Sequence, residues 1–473
     1  FLFVIFSMIS WNLISIGLFI TKFVFSWETC SPKDGGGFCP TGDKCCNVGI
    51  QGTSSCIAES EHAIRGLSNC CSNQTGCGYG YECKQDSNGR DICKLSLPPT
   101  DNPAPFILPR YKNCLLTNQS TILHGMSVSG SNQKLAYYSS LGSIDKQRDE
   151  FYTESHRNVT IAFITIHGSG RNAETYLCSG MAAVPDELKS KTIVISPWFK
   201  APDQIFNDSS SFLSWNETGP IPHTWRYGAE ATDGVTSSFH VLDTLVKLIM
   251  NNVNDFPNLE KVIVAGHSAG GQMTHRWALT SNEEFWDEKH EKQRTVPLRV
   301  VVANPRSFCY LDRRRYNNKG DFVAPKKRSI RKCPSYNGWE WGLEPNGRVP
   351  LPRHVQRNIE IHNKSVDWMR RSYAKRNIVY LAGELDILEV KSECEDDDFQ
   401  GQNRLERSSR YFHSLQAYYG FPTHHRFIAE GVPHDNTLMY QSSSGQKSLF
   451  GDINKVIHHS LLSHREKIQI KVY

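Results

Sequence analysis

A buried strand that runs directly into a glycine-rich turn and then into a helix is the most constraining feature of this chain. Residues 262–265 are apolar, the pentapeptide Gly266-His267-Ser268-Ala269-Gly270 follows them, and a helical pattern begins near Gln272. The two glycines remove Cβ atoms where strand and helix fold tightly against each other. The pattern predicts a nucleophile elbow, a strained turn that exposes the Ser268 hydroxyl.

The elbow lies within an alternation of short apolar strands and amphipathic helices. Helices are predicted over residues 239–253 and 273–279, and this alternation indicates an α/β fold with a mainly parallel sheet covered by helices on both faces. Ligands of such sheets bind at the carboxyl ends of the strands. The predicted strands are 159–166, 192–196, 262–265, 298–303, 378–381 and 424–428.

An acid and a histidine follow two later strands. A serine hydroxyl needs a base to take its proton, and His434 comes just after the strand at 424–428. Asp386 follows the strand at 378–381 and is the predicted acid, which fixes the histidine tautomer and stabilises the imidazolium. Glu384 is the less suitable acid because it lies one turn position earlier. Each motif alone could be a chance match or a solvated side chain, but their conjunction favours a catalytic triad.

A developing oxyanion needs donors that are fixed in advance. The backbone N–H of Ala269, directly after the nucleophile, is predicted to be one of them. The second is expected from the glycine-rich turn after the strand at 159–166, with Ser169 as the first choice and Gly168 next. His167 precedes the nucleophile and is expected to brace this turn.

The beginning of the chain indicates export. Residues 1–27 hold one charged side chain, Lys22, which suits a cleaved signal peptide or a retained signal anchor, with a buried helix as the remaining alternative. Asn-x-Ser/Thr sequons add support for a secretory-pathway or extracellular location. They occur at Asn73, Asn118, Asn158, Asn207, Asn216 and Asn363.

Residues 28–96 form a separate cysteine-rich segment. It holds ten of the 15 cysteines, all between Cys30 and Cys93, which indicates a disulfide-bonded module and an oxidising compartment. A zinc site is the alternative, but no histidine lies at ligand spacing. The fragments at 39–46 and 78–83 loosely resemble granulin-like modules. This resemblance implies a module that binds a glycan or a protein surface, and a module that only spaces the enzyme is the alternative.

A proline-rich linker is predicted at 97–119, followed by a catalytic domain at 120–473. A cap insertion is expected at about 305–375. Its stretch 306–332 holds ten Lys and Arg against two Asp, and is either a lid that attracts an anionic substrate or a solvated loop. Cys333 and Cys394 could tie the cap to the core. Five cysteines lie outside the module, so at least one is unpaired unless it bridges domains or chains.

The segment from about Val159 onward resembles the α/β-hydrolase superfamily, specifically a group of secreted hydrolases from microbes and fungi. The order Ser268, Asp386, His434 is the one expected of that fold. Pro433 departs from the glycine usual before the histidine, which bears on loop mobility. The resemblance covers roughly two thirds of the chain and rests on the segments 167–173, 266–272, 383–386 and 400–407.

The resemblance implies hydrolysis of an ester or related acyl bond, in a small molecule or a polysaccharide, through an acyl-enzyme. It also implies that Arg171, Asn172, Trp225 and Arg404 line the substrate pocket, although each suits a structural role equally. A serine peptidase and a binding protein with a vestigial fold are the alternatives. Neither cofactor nor metal is expected, and a formal charge of +5 over the whole chain does not indicate nucleic-acid binding. A membrane is a partner only if the N-terminal segment is retained.

Overall fold

The structure is a computed structural model. It describes residues 123–145, 154–204, 211–216, 224–281, 283, 286, 296–317, 320–344, 349–389, 394 and 399–453, together with the backbone of eight short strands between residues 27 and 116. The apolar segment 1–26 and the sequons at Asn73, Asn118 and Asn207 lie outside these residues. So does the acidic stretch 393–398, except for Cys394.

The chain divides into two units, residues 1–97 and 98–473. In the first unit, three antiparallel strand pairs are described: β1 with β2, β3 with β4, and β5 with β6. Their bounds are β1 Trp27–Thr29, β2 Phe38–Pro40, β3 Asp43–Asn47, β4 Ser54–Ala58, β5 Tyr81–Gln85 and β6 Asp91–Leu95.

The second unit is built on an eight-stranded sheet. A short pair, β7 (Phe106–Ile107) with β8 (Leu115–Leu116), precedes it. The sheet strands are β9 His124–Ser127, β10 Lys134–Ser139, β11 Ile161–Ile166, β12 Thr192–Trp198, β13 Lys261–His267, β14 Leu298–Ala303, β17 Asn377–Gly383 and β18 His425–Ala429. Two further strands of the cap, β15 Arg315–Tyr316 and β16 Phe322–Val323, pair with each other.

The strand order of this sheet is β18-β17-β14-β13-β11-β12-β10-β9. From β12 to β18 all neighbours are parallel, while β10 runs antiparallel to both β12 and β9. A mostly parallel sheet with this order and an antiparallel second strand is the α/β-hydrolase fold. The predicted fold class is confirmed.

Helices lie between the strands. They are α1 Ala173–Ala183, α2 Ser238–Asn251, α3 Ala269–Thr280, α4 Lys327–Lys332, α5 Arg353–Ile361, α6 Val366–Tyr373, α7 Arg404–Tyr419, α8 Asn436–Gln441 and α9 Ser443–Phe450. Three 3₁₀ turns occupy Glu154–Asn158, Asp186–Lys191 and Trp225–Tyr227. The two helices expected from the sequence correspond to α2 and α3.

Alternating side chains of the central strands serve two separate cores. In β11, Ala162 and Ile164 belong to the larger cluster, which includes Leu245 of α2 and Trp277 of α3. Phe163 of the same strand belongs to a second cluster with residues of α1, α8 and α9. Both faces of the strand are therefore buried, which explains why its sequence is continuously apolar.

The cap between β14 and β17 contains β15, β16, α4, α5 and α6. A disulfide between Cys333, at the end of α4, and Cys394, in the loop after β17, links the cap to that loop. Tyr336, Trp341 and Phe399 pack around it as a small separate cluster. Cys178 is also disulfide-bonded, whereas the buried Cys309 is free.

Two strands of the eight-stranded sheet were not anticipated. β9 and β10 form the antiparallel edge of the sheet, and their sequences, His-Gly-Met-Ser and Lys-Leu-Ala-Tyr-Tyr-Ser, lack a long apolar run. In the edge strand β9 buried and accessible residues alternate, so its apolar signal is weaker than that of a central strand. Strand β10 is paired on both sides and largely buried, but its apolar run is short. Among the described residues, no helix has the length and apolar character needed to cross a membrane.

Candidate active site

Ser268 lies on a strained turn between β13 and α3. Its φ of 59° and ψ of −117° place a residue with a side chain in a region that such residues rarely adopt. An added Cβ at Gly266 would lie 2.2 Å from the Gly270 carbonyl oxygen, and one at Gly270 would lie 2.3 Å from that of Ile166. Both glycines are therefore required by contact with backbone, as the elbow pattern predicts.

The structure brings Ser268, His434 and Asp386 together. The Ser268 hydroxyl is 3.0 Å from His434 Nε2, and His434 Nδ1 donates to Asp386 Oδ2 at 2.6 Å. The Asp386 side chain is fully buried, whereas 28% of the His434 side chain is exposed. This arrangement leaves Nε2 free to accept the serine proton, and it is the geometry of a base held in one tautomer by a carboxylate.

Two further side chains hold the loops that carry the acid and the histidine. Asn304, at the end of β14, accepts a hydrogen bond from the Gly383 N–H at 2.9 Å, so the ends of β14 and β17 are joined. Glu384 accepts from the Gly431 N–H at 2.8 Å. The alternative acid therefore braces the histidine loop, and Asp386 is the carboxylate that contacts His434.

Arg404 contacts Asp386. Its Nη1 donates to Asp386 Oδ1 at 3.4 Å, and 15% of its side chain is exposed. Arg404 was expected in the substrate pocket by resemblance. The structure adds a partner that has no local sequence signal, because the ion pair joins the loop after β17 to the first residue of α7.

Two aromatic side chains next to the candidate triad were not singled out from the sequence. The ring of His267 lies 4.5 Å from that of His434, centroid to centroid, and its Nδ1 is 3.2 Å from the Tyr176 hydroxyl. Burial holds the pKa of His267 well below its usual range, with the neighbouring His434 and Arg404 acting in the same direction. His267 is thus a neutral ring beside His434. The position of His267 in the elbow motif was a sequence signal, whereas no sequence signal pointed to Tyr176.

The candidate oxyanion donors come from the start of α3 and from the turn after β11. Ala269 begins α3, and the first N–H groups of a helix have no intrahelical acceptor. An added Cβ at Gly168 would lie 3.7 Å from the Ser268 Cβ, so Gly168 closely approaches the Ser268 side chain. Ser169, the first choice from sequence, is exposed on the same turn. The assignment of Ser169 and Ala269 as donors stays a prediction.

The His167 ring holds this turn through two hydrogen bonds. Its Nδ1–H donates to the Gly168 carbonyl at 2.9 Å and its Nε2 accepts from the Phe199 N–H at 3.0 Å. Burial lowers the pKa of His167 to about 3, so the ring is neutral at physiological pH. Both ring nitrogens are therefore used to join the ends of β11 and β12 below the candidate oxyanion turn.

The other three candidate pocket residues differ in accessibility. Arg171 is 3% exposed and donates to the carbonyls of Phe199 and Trp215 at 3.2 and 2.7 Å. Trp225 is fully buried, and its ring stacks on Phe199 at 5.3 Å. These contacts favour the structural alternative for both. Asn172, the residue before α1, is half-buried and retains an accessible surface.

Within the described part of the chain, no group of three or more His, Cys, Asp or Glu side chains is arranged to hold a metal ion.

Comparison with known proteins identifies folds rather than relatives. No protein-family model and no curated protein matches the chain. Among solved structures, poly(aspartic acid) hydrolase-1 from Sphingomonas sp. KT-1 is similar at 18% identity and a TM-score of 0.41, covering 69% of this chain and 98% of that one. LpqC, a poly(3-hydroxybutyrate) depolymerase from Bordetella parapertussis, is similar at 17% identity and a TM-score of 0.40, covering 70% and 89%.

A third similar structure is the esterase Pf2001 of Pyrococcus furiosus, with 14% identity, a TM-score of 0.32, and coverage of 68% of this chain and 87% of that one. At these identities and TM-scores, what the three proteins act on is not carried over to this chain.

Proposed function

We propose that the protein is a serine hydrolase that cleaves carboxylic esters through an acyl-enzyme. The observation that carries the proposal is the continuous chain of contacts from the Ser268 hydroxyl through His434 to the buried Asp386, at 3.0 and 2.6 Å. In the acylation step His434 takes the Ser268 proton while Ser268 Oγ bonds to the ester carbonyl carbon. The imidazolium then gives that proton to the leaving alkoxide. In deacylation His434 takes a proton from water while the water oxygen bonds to the acyl carbon, and the proton then passes to Ser268 Oγ as the acid is released.

The surface around the acid and base favours an ester with an apolar acyl group. Four aliphatic side chains within four residues of Asp386 or His434 are strongly exposed, and we call them the apolar rim. They belong to the loop after β17 and to α8, and the loop before α8 is held against the loop after β17 because the Leu385 N–H donates to the Val432 carbonyl at 3.0 Å. The rim consists of Leu385, Ile387, Leu388 and Leu438, which are 50%, 56%, 74% and 50% exposed.

Labelling with a fluorophosphonate probe tests the chemistry. Wild-type protein should be labelled at Ser268, and Ser268→Ala should remain folded and unlabelled. Folded wild-type protein that resists labelling and hydrolyses no ester would refute the proposal. Short acyl esters, acetylated and feruloylated polysaccharides, lipids and a peptide library should then be compared, because turnover of peptides alone would assign a serine peptidase.

The acyl preference is tested with p-nitrophenyl esters of two and eight carbons. Ile387→Ser with Leu388→Ser should lower kcat/KM for the octanoate by about 10-fold, since each buried methylene contributes about 0.8 kcal/mol, and should leave the acetate nearly unchanged. Ile361→Ser, at a residue 67% exposed on α5, is the matched control. Equal losses for both esters would remove the rim from substrate binding.

Secretion is part of the proposal. The disulfide between Cys333 and Cys394 suits an oxidising compartment, and the described sequon residues Asn158, Asn216 and Asn363 are all exposed. Expression through a eukaryotic secretory pathway should give glycosylated protein whose mass falls on treatment with an endoglycosidase. Retention of the N-terminal segment would be seen in the same preparation as membrane association.

The alternative of a binding protein predicts a different result. If the cysteine-rich module carries the function, the isolated module should bind on a glycan array while the full chain shows no turnover. The buried carboxylate and the strained serine argue against this alternative, because burying a charge and straining a turn both cost stability that a binding role does not require.

A further inference from the structure

The carboxylate of Asp386 is shared between two donors. Its Oδ2 accepts from His434 Nδ1 at 2.6 Å, while its Oδ1 faces Arg404 Nη1 at 3.4 Å. None of the Asp386 side chain is exposed and only 15% of the Arg404 side chain is. A serine hydrolase triad needs only the first of these contacts, so the second requires its own explanation.

Hydrogen bonds at the start of α7 fix the position of Arg404. It is the first residue of α7, and the Asn403 side chain caps that helix by accepting from the Glu406 N–H at 3.0 Å. The next residue, Leu405, donates its N–H to the Asp386 carbonyl oxygen at 3.3 Å. Both the backbone and the side chain of the acid are therefore joined to the start of α7.

The position of the guanidinium costs stability. Arg404 Nε is buried and, among the described residues, has no hydrogen-bond partner. Burying a charged group with an unsatisfied donor is unfavourable, and one ion pair with a second buried group offsets the cost only in part. A merely structural link could be made more cheaply by a neutral side chain, which points to a role for the charge.

We propose that Arg404 is a positioning residue that holds the Asp386 carboxylate in place for His434 and balances part of its charge. The inference rests on the proposed function. The negative charge of Asp386 stabilises the imidazolium of His434, and the positive charge of Arg404 opposes that effect from the other carboxylate oxygen. Loss of the guanidinium should therefore be seen in the pH profile of the reaction as well as in its rate.

The other groups around His434 do not replace this charge. His267, in contact with the imidazole, is held neutral by its burial. Glu384 accepts from the histidine loop, and Asp435 caps α8 by accepting from Thr437 and Leu438. Both are acids and would favour the imidazolium, so Arg404 is the opposing cation in the described surroundings of the base.

The test is the pH dependence of fluorophosphonate labelling and of ester kcat/KM in the full chain. Arg404→Gln should move the acid limb of both profiles upward by about one pH unit and lower the plateau. Arg404→Lys keeps the positive charge but loses the planar guanidinium, so it should lower the plateau and leave the acid limb at its wild-type pH. Arg410→Gln removes the ion pair with Glu406 on the same helix and is the control that should change neither.

The outcomes separate this inference from the proposed function. If wild-type protein is labelled and Arg404→Gln has the wild-type limb, the inference is wrong and the proposed function stands. If wild-type protein is never labelled, the proposed function fails first. Should Arg404→Gln not fold, Arg404→Lys decides: a reduced plateau with the wild-type limb supports the inference, whereas a profile equal to wild type, or a shifted limb, overturns it.

Discussion

Replacing Gly270 by alanine should show how tightly the elbow is built. A Cβ at this position would lie 2.3 Å from the Ile166 carbonyl oxygen and 2.6 Å from that of His167. Real Cβ atoms keep at least 3.0 Å from such atoms, so the end of β11 and the start of α3 must separate by about 0.7 Å. Both contacts are with backbone, and no rotamer change can relieve them.

The direction of the change in the free energy of unfolding distinguishes this contact from an ordinary Gly→Ala substitution. In an unhindered helix, Gly→Ala stabilises by about 1 kcal/mol. Overpacking of a buried contact costs about 1–3 kcal/mol, and we expect a net loss of about 2 kcal/mol because backbone must move. The displaced β11 leads into the turn with Gly168 and Ser169, so the labelling rate of Ser268 should fall roughly 10- to 100-fold, as for a sub-ångström to 1 Å misplacement of reacting groups.

The assay combines urea unfolding with fluorophosphonate labelling under native conditions. Gly170→Ala is the matched control, since Gly170 lies in the same turn outside the left-handed region and its Cβ would meet only the Asn172 side chain at 3.3 Å. That variant should be neutral or more stable by up to about 1 kcal/mol. A Gly270→Ala protein that is as stable and as reactive as Gly170→Ala would refute the contact argument.

Two other predictions concern stability. Burial lowers the pKa of His167 to about 3 and that of His424 to about 4, so the unfolded chain binds more protons below its own pKa of about 6.5. Their contribution is therefore present above pH 6.5 and is lost as the pH falls. Urea unfolding should show a loss of about 2 kcal/mol per buried histidine between pH 7.5 and 5, and equal stability at both values would contradict it. Replacing Cys333 and Cys394 together by serine opens a link across 61 residues and should cost up to about 4 kcal/mol, measured by thermal unfolding, with Cys309→Ala as the unlinked control.

Much of the fold was predictable because the central strands are buried on both faces. The predicted runs at 159–166, 192–196 and 298–303 overlap β11, β12 and β14 closely. The edge strand β9 was missed because buried and accessible residues alternate along it, and β10 was missed because its apolar run is short. The cap was recognised only as an insertion, although its helices α5 and α6 are amphipathic, and its disulfide joins residues 61 positions apart.

The candidate site also contains residues whose surroundings could not be predicted from the sequence. Arg171 and Trp225 are polar and aromatic residues whose types suit a pocket, yet the structure buries both. Side-chain type does not report burial at a loop position, because loops carry no regular alternation of faces. The contacts of Tyr176 with His267, and of Arg404 with Asp386, join segments far apart in the chain and have no local sequence signal.

The sequence by itself determined the strand-turn-helix at Ser268, the parallel sheet, and the order in which nucleophile, acid and histidine follow successive strands. These depend on local rules: glycine where a Cβ cannot fit, apolar runs where both faces are buried, and polar residues after strand ends. Only the tertiary structure decided which carboxylate meets His434, that Arg404 shares it, and which pocket candidates are buried. Those facts depend on distances between loops, and such distances are set by the packing of the whole sheet and its helices.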